Sequence, residues 1–230
     1  MEKIKYKGYT IEIKQNEFID ENPRCWDNCG KIIYHNNNYQ LGDEEYKNDN
    51  ASNWKENFAY YIVENYISET DFNDTYDSCG LTDSEIKEVW DWIDKNVYYL
   101  PVFVYIHSGV SLSTNPFSCG WDSGNNGYIY ALKKNWQGGD NPLNQLEDEI
   151  KTFDDYMQGN VWDYEITDSN GEYVDSCCGY IGDWDSKYLL DDAKVAIDSI
   201  LCYIKREKSK KLKNYIKSGV NLQYRQLSIN

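Results

Sequence analysis

The chain has 230 residues, of which 40% are apolar and 16% aromatic, so it can bury a core and is too aromatic for a disordered protein. It contains no run of about eighteen uncharged apolar residues that could span a bilayer. Residues 1–7 are too charged to form the apolar centre of a signal peptide. We therefore expect a cytoplasmic protein without membrane association, whose seven cysteines are reduced thiols.

The net charge of −16 is unevenly distributed along the chain. Residues 15–204 carry 11 basic and 36 acidic side chains, a net of −25, whereas residues 205–230 carry eight basic and one acidic. Because an acidic middle repels phosphate backbones, direct nucleic-acid binding is not expected. Two interpretations stay open: a solvated acidic surface that keeps the protein soluble, or a DNA-mimicking face that occupies a basic nucleic-acid channel on another protein.

The first fifty residues contain two different patterns. Alternating apolar residues on either side of Lys7-Gly8 predict a hairpin over residues 3–13. Residues 20–53 are rich in Asn, Asp and Glu, which predicts a loop-rich acidic segment with one strand at 31–35.

Three helices are predicted before residue 160. Apolar residues at helical spacing predict an amphipathic helix over 53–67. A capping box at Thr82 and Glu85 begins a second helix, with the apolar stripe Ile86, Val89, Trp90, Ile93 and Val97. Asn141 as cap and Pro142 at the first position begin a third, with the stripe Leu143, Leu146, Ile150, Phe153 and Met157.

The C-terminal third of the chain predicts a hairpin followed by a helix. Strands at 161–167 and 173–177 are joined by Asn170-Gly171, the strongest short hairpin signal. A last helix is predicted from about Trp184 past residue 203, with the buried positions Leu189, Ala193, Ala196, Ile197, Ile200 and Ile204.

The central block contains the most apolar strand. Residues 100–106 predict a strand that is covered on both faces. Residues 107–109 form a turn, 110–114 return as a second strand, 117–127 are predicted to be a loop, and 128–132 form the next strand. A long loop of mixed chemistry on a rigid sheet is a common location for functional groups.

Together these elements predict an α+β fold, in which about four α-helices pack on a mixed or antiparallel β-sheet. We see no linker, so we expect a single domain over residues 1–230. This domain includes the loop-rich acidic segment 20–53 and a basic C-terminal extension at 205–230.

Six short motifs lie between residues 10 and 182: Asn22-Pro23-Arg24…Trp26-Asp27-Asn28, Leu41-Gly42-Asp43, Leu100-Pro101-Val102, His107-Ser108-Gly109, Pro116-Phe117-Ser118-Cys119…Trp121-Asp122-Ser123-Gly124 and Asp175-Ser176-Cys177…Gly179. Together they resemble a family of uncharacterised proteins carried by bacteriophages and other mobile elements. The resemblance implies a small accessory protein that such an element expresses in its host. It implies no particular activity.

A cysteine nucleophile needs a base within hydrogen-bond reach, and the chain has two histidines. The candidates are Cys119 or Cys177 with His107 as base and Asp122 as the residue that orients it. Since a strand advances about 3.3 Å per residue, Cys119 reaches His107 only if its loop doubles back. The competing interpretation makes Cys119 a small buried hydrophobe beside Trp121 and His107 a turn residue.

Neither a metal nor a cofactor is expected. Zinc would require Cys25, Cys29, Cys177 and Cys178 together, and these lack the usual paired spacing of zinc ligands.

Aromatic side chains in acidic surroundings instead favour protein binding, because Trp, Tyr and Arg are enriched at binding hot spots. The predicted binding residues are Trp26, Asp27, Trp121, Asp122, Asp43, Glu44 and Glu45. The leading hypothesis is an anti-defence inhibitor, for instance an anti-CRISPR-like protein, that docks this acidic aromatic face on a host nucleic-acid-binding protein such as a defence nuclease. The alternative is a cysteine-dependent hydrolase or transferase that uses Cys119, His107 and Asp122. An accessory factor without a host target also stays open.

Overall fold

A computed structural model of the chain describes residues 1–16, 22–67, 80–183, 187–217 and 219. The chain divides into two compact units: unit 1 comprises Met1–Phe18 and Asn160–Asn230, and unit 2 comprises Ile19–Gly159. Each unit has its own sheet. The predicted α+β class, with largely antiparallel pairing and four helices, is confirmed. The expected single sheet is two sheets, and the single domain stays a prediction.

The nine strands in the described part of the chain are β1 (Glu2–Tyr6), β2 (Tyr9–Gln15), β3 (Lys31–Tyr34), β4 (Glu44–Glu45), β5 (Val97–Ile106), β6 (Val110–Ser113), β7 (Ser123–Leu132), β8 (Val161–Thr167) and β9 (Tyr173–Ile181). The four helices there are α1 (Trp54–Tyr66), α2 (Asp83–Asn96), α3 (Pro142–Met157) and α4 (Lys187–Lys217).

Unit 1 is an antiparallel sheet in the order β1-β2-β8-β9 with α4 packed against it. Both hairpins turn where they were predicted. Lys7 and Gly8 have φ angles of 48° and 90°, the left-handed pair that a two-residue hairpin requires, and Gly171 has a φ of 81°. The buried core of this unit consists of Ile11, Ile13, Tyr164, Ile166, Leu189, Ala193 and Ile197.

Helix α4 is longer than the sheet beneath it. Its predicted start at Trp184 lies outside the described residues, as do residue 218 and residues 220–230 of the basic extension. Ile197 is buried as predicted, and Leu201 is the last apolar residue that packs on the core. The predicted burial of Ile204 is wrong: this side chain is 38% exposed, because a helix of about 1.5 Å per residue extends past the strands here.

Unit 2 is a five-stranded sheet in the order β4-β3-β7-β5-β6, antiparallel except between β3 and β4. Helix α3 covers one face, and the core there is Ile32, Tyr34, Leu41, Val102, Val104, Val110, Leu112, Ile129, Ala131, Leu146, Ile150 and Phe153. Helices α1 and α2 cover the other, and that core is Ile33, Phe58, Ala59, Tyr61, Ile62, Val89, Ile93, Val97, Tyr128 and Tyr130. In the strand predicted over 100–106, the side chains of Leu100, Val102, Val104 and Ile106 pack on the α3 side. From β5, the described core beneath α1 and α2 includes Val97 and Tyr99 and none of residues 100–106, so the predicted cover on both faces is not seen there.

Local signals predicted the three helix starts of unit 2 correctly. The side chains of Asn53, Thr82 and Asn141 each accept a hydrogen bond from an amide three residues on, and Glu85 completes the capping box at Thr82. Leu143, predicted in the buried stripe of α3, is 44% exposed because it lies in the first turn of that helix.

The predicted loop over 117–127 is wrong in its second half, because β7 already begins at Ser123. Gly124 and Asn125 have low strand propensity, yet they pair with Val104 and Phe103 of β5 across a bulge. Pairing with an apolar neighbouring strand thus overrides the local preference.

Gly127 lies where β7 passes closest to β3. A Cβ at this position would overlap the carbonyl oxygen of Ile33. We expect Gly127→Ala to lower the free energy of unfolding by about 2–3 kcal/mol, in the range of overpacked cores. Urea denaturation measures this change. In the control, Gly120→Ala, the added Cβ meets no described atom within 4 Å and should leave the midpoint unchanged. Equal midpoints for both variants would contradict the assignment.

Candidate functional site

A buried arginine organises the loop-rich part of unit 2. The Arg24 side chain is 4% exposed. Its Nε and Nη2 donate to the two carboxylate oxygens of Asp43 at 3.1 and 2.7 Å, and its Nη1 donates to Glu149 at 3.1 Å. Nη2 also donates to the Gly30 carbonyl at 2.6 Å. One guanidinium thus connects the turn at Pro23–Cys25, the segment before β4 and the middle of α3.

The two carboxylates around Arg24 also accept backbone amides. Asp43 accepts the amide of Ile32 at 2.7 Å, and Glu149 accepts the amide of Cys29 at 2.8 Å. Burial alone would lower the pKa of Arg24, but the hydrogen bonds and charges of Asp43 and Glu149 outweigh it and raise the pKa. Asp43 was predicted to contact a partner. Its geometry instead gives it a structural role, because both its oxygens are used within the chain.

The two acids that follow also have basic neighbours. Glu44 accepts hydrogen bonds from the Lys31 ammonium and, at 3.0 Å, from the Tyr61 hydroxyl. The Lys31 hydrogen bond lowers the pKa of Glu44. Glu45 lies 3.0 Å from Nδ1 of His35. Each acid from residue 43 to 45 therefore has a base of its own chain beside it, which weakens this stretch as a partner-binding face.

The loop between β6 and β7 doubles back onto the end of β5. The Ile106 amide donates to the Asp122 carbonyl at 2.9 Å, and the Phe117 ring lies 5.6 Å from that of Tyr105. The loop thus doubles back in the way that Cys119 needs in order to come close to the turn at residues 107–109.

Asp122 lies between the other two candidate catalytic residues. One of its oxygens, Oδ2, is 3.4 Å from Nδ1 of His107 and 3.9 Å from Sγ of Cys119. The thiolate is the nucleophilic form of cysteine and needs a base beside it, whereas the hydrogen-bond partner of Cys119 here is a carboxylate. Cys177, the other candidate, is exposed on β9 of unit 1. The order is thus thiol–carboxylate–imidazole, which differs from that of a cysteine–histidine pair.

Trp121 projects almost entirely into solvent. Its side chain is 98% exposed, although the backbone on both sides is held by the Ser123 hydroxyl bonded to the Cys119 carbonyl and by Asp122. The interpretation of Cys119 as a buried residue packed beside Trp121 is therefore wrong, and Cys119 is half-buried. Because tryptophan is enriched at binding hot spots, this loop is a candidate contact surface.

The strand register separates the two tryptophan motifs. Lys31, which follows the loop of Trp26 and Asp27, pairs with Tyr130 near the end of β7, whereas Trp121 precedes the start of β7. These positions on β7 are seven residues apart, about 23 Å at 3.3 Å per residue. Trp26, 47% exposed, and the exposed Asp27 therefore lie at the opposite end of the sheet from Trp121 and Asp122.

A second loop lies at the same end of the sheet as Trp121, and sequence reasoning missed it. The His35 amide donates to the Asn126 carbonyl at 3.2 Å, which places the loop after β3 at the same end of the sheet. We call this region the loop end, comprising residues 35–40, 107–109 and 114–122. It carries both histidines of the chain and the 40% exposed Tyr39. Only the pairing of β3 with β7 reveals this grouping, since no local pattern does.

The charge of the chain is divided between the units. Residues 19–159, unit 2, carry 9 basic and 25 acidic side chains, while the remaining residues carry 14 of each. Unit 2 thus accounts for the whole net charge of −16. Some basic side chains of unit 2 form ion pairs with acids of the same unit, as Arg24 and Lys31 do.

Within the described ranges, no three His, Cys, Asp or Glu side chains form a group that could hold a metal ion. The helices described here also include none with the length and apolar character to cross a bilayer.

Comparisons of the chain with protein-family models, with curated proteins and with solved structures find no match. The resemblance to proteins of phages and mobile elements therefore stays a prediction.

Replacing Arg24 should destabilise unit 2 strongly. We expect Arg24→Ala to cost about 3–5 kcal/mol, because it leaves two partly buried carboxylates without their cation. Arg24→Lys should recover little of this, since an ammonium cannot reproduce the bidentate geometry. Thermal and urea unfolding measure the change. The matched control is Arg206→Ala at an exposed position of α4, and a loss at Arg24 no larger than at Arg206 would refute the structural role.

Proposed function

We propose that the chain is an accessory protein of a phage or other mobile element that acts by binding. Its target is a positively charged, nucleic-acid-binding surface of a host protein, such as a defence nuclease. The observation that carries this proposal is the charge of unit 2, which holds the whole net charge of −16. A nucleic-acid channel presents Lys and Arg to phosphates, so an acidic protein that occupies it excludes the nucleic acid and inhibits its owner.

The exposed surface of unit 2 supports this proposal. Glu88, Asp91 and Asp94 are exposed and step by three along the outer face of α2, opposite the buried Val89 and Ile93. Lys87 and Lys95 share that face, so the attraction must come from the unit as a whole rather than from this helix alone.

Trp121 is the best candidate for the central contact. Tryptophan buries a large area with few rotatable bonds and is among the commonest hot-spot residues. Since the flanking backbone is already fixed by Ser123 and Asp122, little further ordering is needed on binding. Asp122, the next residue along the chain, and His107, which contacts Asp122, are polar groups that suit the rim of an interface.

The test is affinity purification from host cells, followed by titration of the recovered protein. Trp121→Ala should weaken binding at least about 30-fold, the loss of a strong hot spot, and added salt should weaken it further. Tyr173→Ala is the matched control: Tyr173 is a 64% exposed aromatic residue of unit 1, and its removal should not change the affinity. The proposal would be wrong if no nucleic-acid-binding protein were recovered, or if both variants bound the recovered protein with equal affinity.

One observation favours the alternative, a cysteine-dependent hydrolase or transferase. Cys119 and His107 both meet the same oxygen of Asp122, so a small rearrangement of the loop could bring the thiol to the imidazole. Such loosely arranged catalytic groups do tighten when a substrate binds.

A thiol-reactive probe distinguishes the two functions. Under the binding proposal, iodoacetamide should label Cys119 no faster than the exposed Cys25, and Cys119→Ala and His107→Ala should both keep the biological activity. Selective labelling of Cys119, together with loss of activity in both variants, would establish the enzyme instead.

A further inference from the structure

The second half of α4 extends beyond the core of unit 1. Large apolar side chains of this half are exposed: Tyr203 by 65%, Ile204 by 38%, Leu212 by 41% and Ile216 by 55%. We call residues 202–217 the α4 arm. A helix of about this length is marginal in water without tertiary contacts, so a surface that covers the arm would stabilise it.

Three of the four exposed apolar residues of the α4 arm form one face, and Tyr203 lies to one side of it. Ile204, Leu212 and Ile216 fall within about a third of a turn of each other at 3.6 residues per turn. Leu201, Ile204 and Leu212 line a shallow groove of about 320 Å³ together with Lys205, Lys208 and Ser209. The groove is thus both apolar and cationic, and its partner must offer apolar contacts and carboxylates.

The charge of the α4 arm selects among possible partners. Residues 205–217 carry seven basic side chains and one acid, Glu207, which pairs with Lys210 at 2.6 Å. Two arms would repel each other if they packed together. Nucleic acid and anionic lipid would attract the arm but repel unit 2 of the same chain, with its net charge of −16.

We propose that the α4 arm docks on the acidic unit 2 of a second copy of this chain. This surface combines exposed carboxylates with exposed aromatic side chains, as at Asp91 and Trp121. A two-fold arrangement would let each copy place its arm on the other and close as a dimer. The proposed host target would use the same acidic surface of unit 2, so the arm and the target would compete for it, and dimerisation is therefore measured on the purified chain alone.

The first test measures the mass of the full chain by sedimentation equilibrium. At about 0.01 M salt, where the Debye length is near 30 Å, we expect twice the 27.0 kDa of one chain. At about 1 M salt, where it is near 3 Å, we expect the single-chain mass. A single-chain mass at low salt and every concentration would overturn the proposal.

Charge reversal locates the contact. The double variant Lys205→Glu/Lys208→Glu should weaken dimerisation at least about tenfold, since it places like charges against the partner surface. The matched control, Lys3→Glu/Lys5→Glu, makes the same change in net charge at exposed positions of β1 and should still form the dimer. Equal weakening by both variants would show a general charge effect and refute docking of the arm. Circular dichroism establishes that both variants keep their helices.

Carbodiimide cross-linking of mixed isotope-labelled and unlabelled chains identifies the partner surface. We expect cross-links between lysines of the α4 arm and carboxylates of unit 2 that join labelled to unlabelled chains. Cross-links within single chains only would overturn the proposal. So would binding of the arm to anionic vesicles or to DNA while the chain stays monomeric.

Discussion

The part of unit 2 before α1 depends on the Arg24 guanidinium and its two carboxylates. The three residues of this network are far apart along the chain: Asp43 is 19 residues from Arg24, and Glu149 is 125 residues from it. They fix the turn at Pro23–Cys25, the entry into β3 and the middle of α3 relative to each other. A buried ion pair of this kind gains little net stability from its charges. Here the network stabilises the fold because its carboxylates also accept hydrogen bonds from the backbone amides of Ile32 and Cys29.

This network changes what the acidic stretch can do. Acids at residues 43–45 resemble a binding face in sequence, but each lies beside a base of the same chain. The surface available to a partner is therefore shifted to the loop end and to the outer side of α2. Trp121 becomes more important there, since the fold makes no use of its side chain. We propose binding rather than catalysis because Asp122 lies between the thiol and the imidazole.

Sequence patterns predicted the elements whose signals are local. Two-residue turns such as Lys7-Gly8 and caps such as Thr82 act within a few residues, so they can be recognised without a partner. The start of β7 could not be predicted, because Gly124 and Asn125 become strand only by pairing with β5. The return of Cys119 to the turn at residues 107–109 and the partners of Arg24 likewise depend on contacts that no sequence window contains. The net charge of each unit could not be predicted from the sequence either, because unit 1 is built from two segments that are far apart along the chain.

That discontinuity bears on how the protein is made. The Asn16 amide donates to the Val161 carbonyl at 2.8 Å, so the sheet of unit 1 closes between residues 145 positions apart. Because synthesis runs from the N-terminus, β1 and β2 leave the ribosome before unit 2, and β8, β9 and α4 leave it after unit 2. The sheet of unit 1 therefore cannot be completed until β8 and β9 have been synthesised, after all of unit 2. A chain truncated before β8 would keep every residue of unit 2 but would leave β2 without β8, with which it pairs.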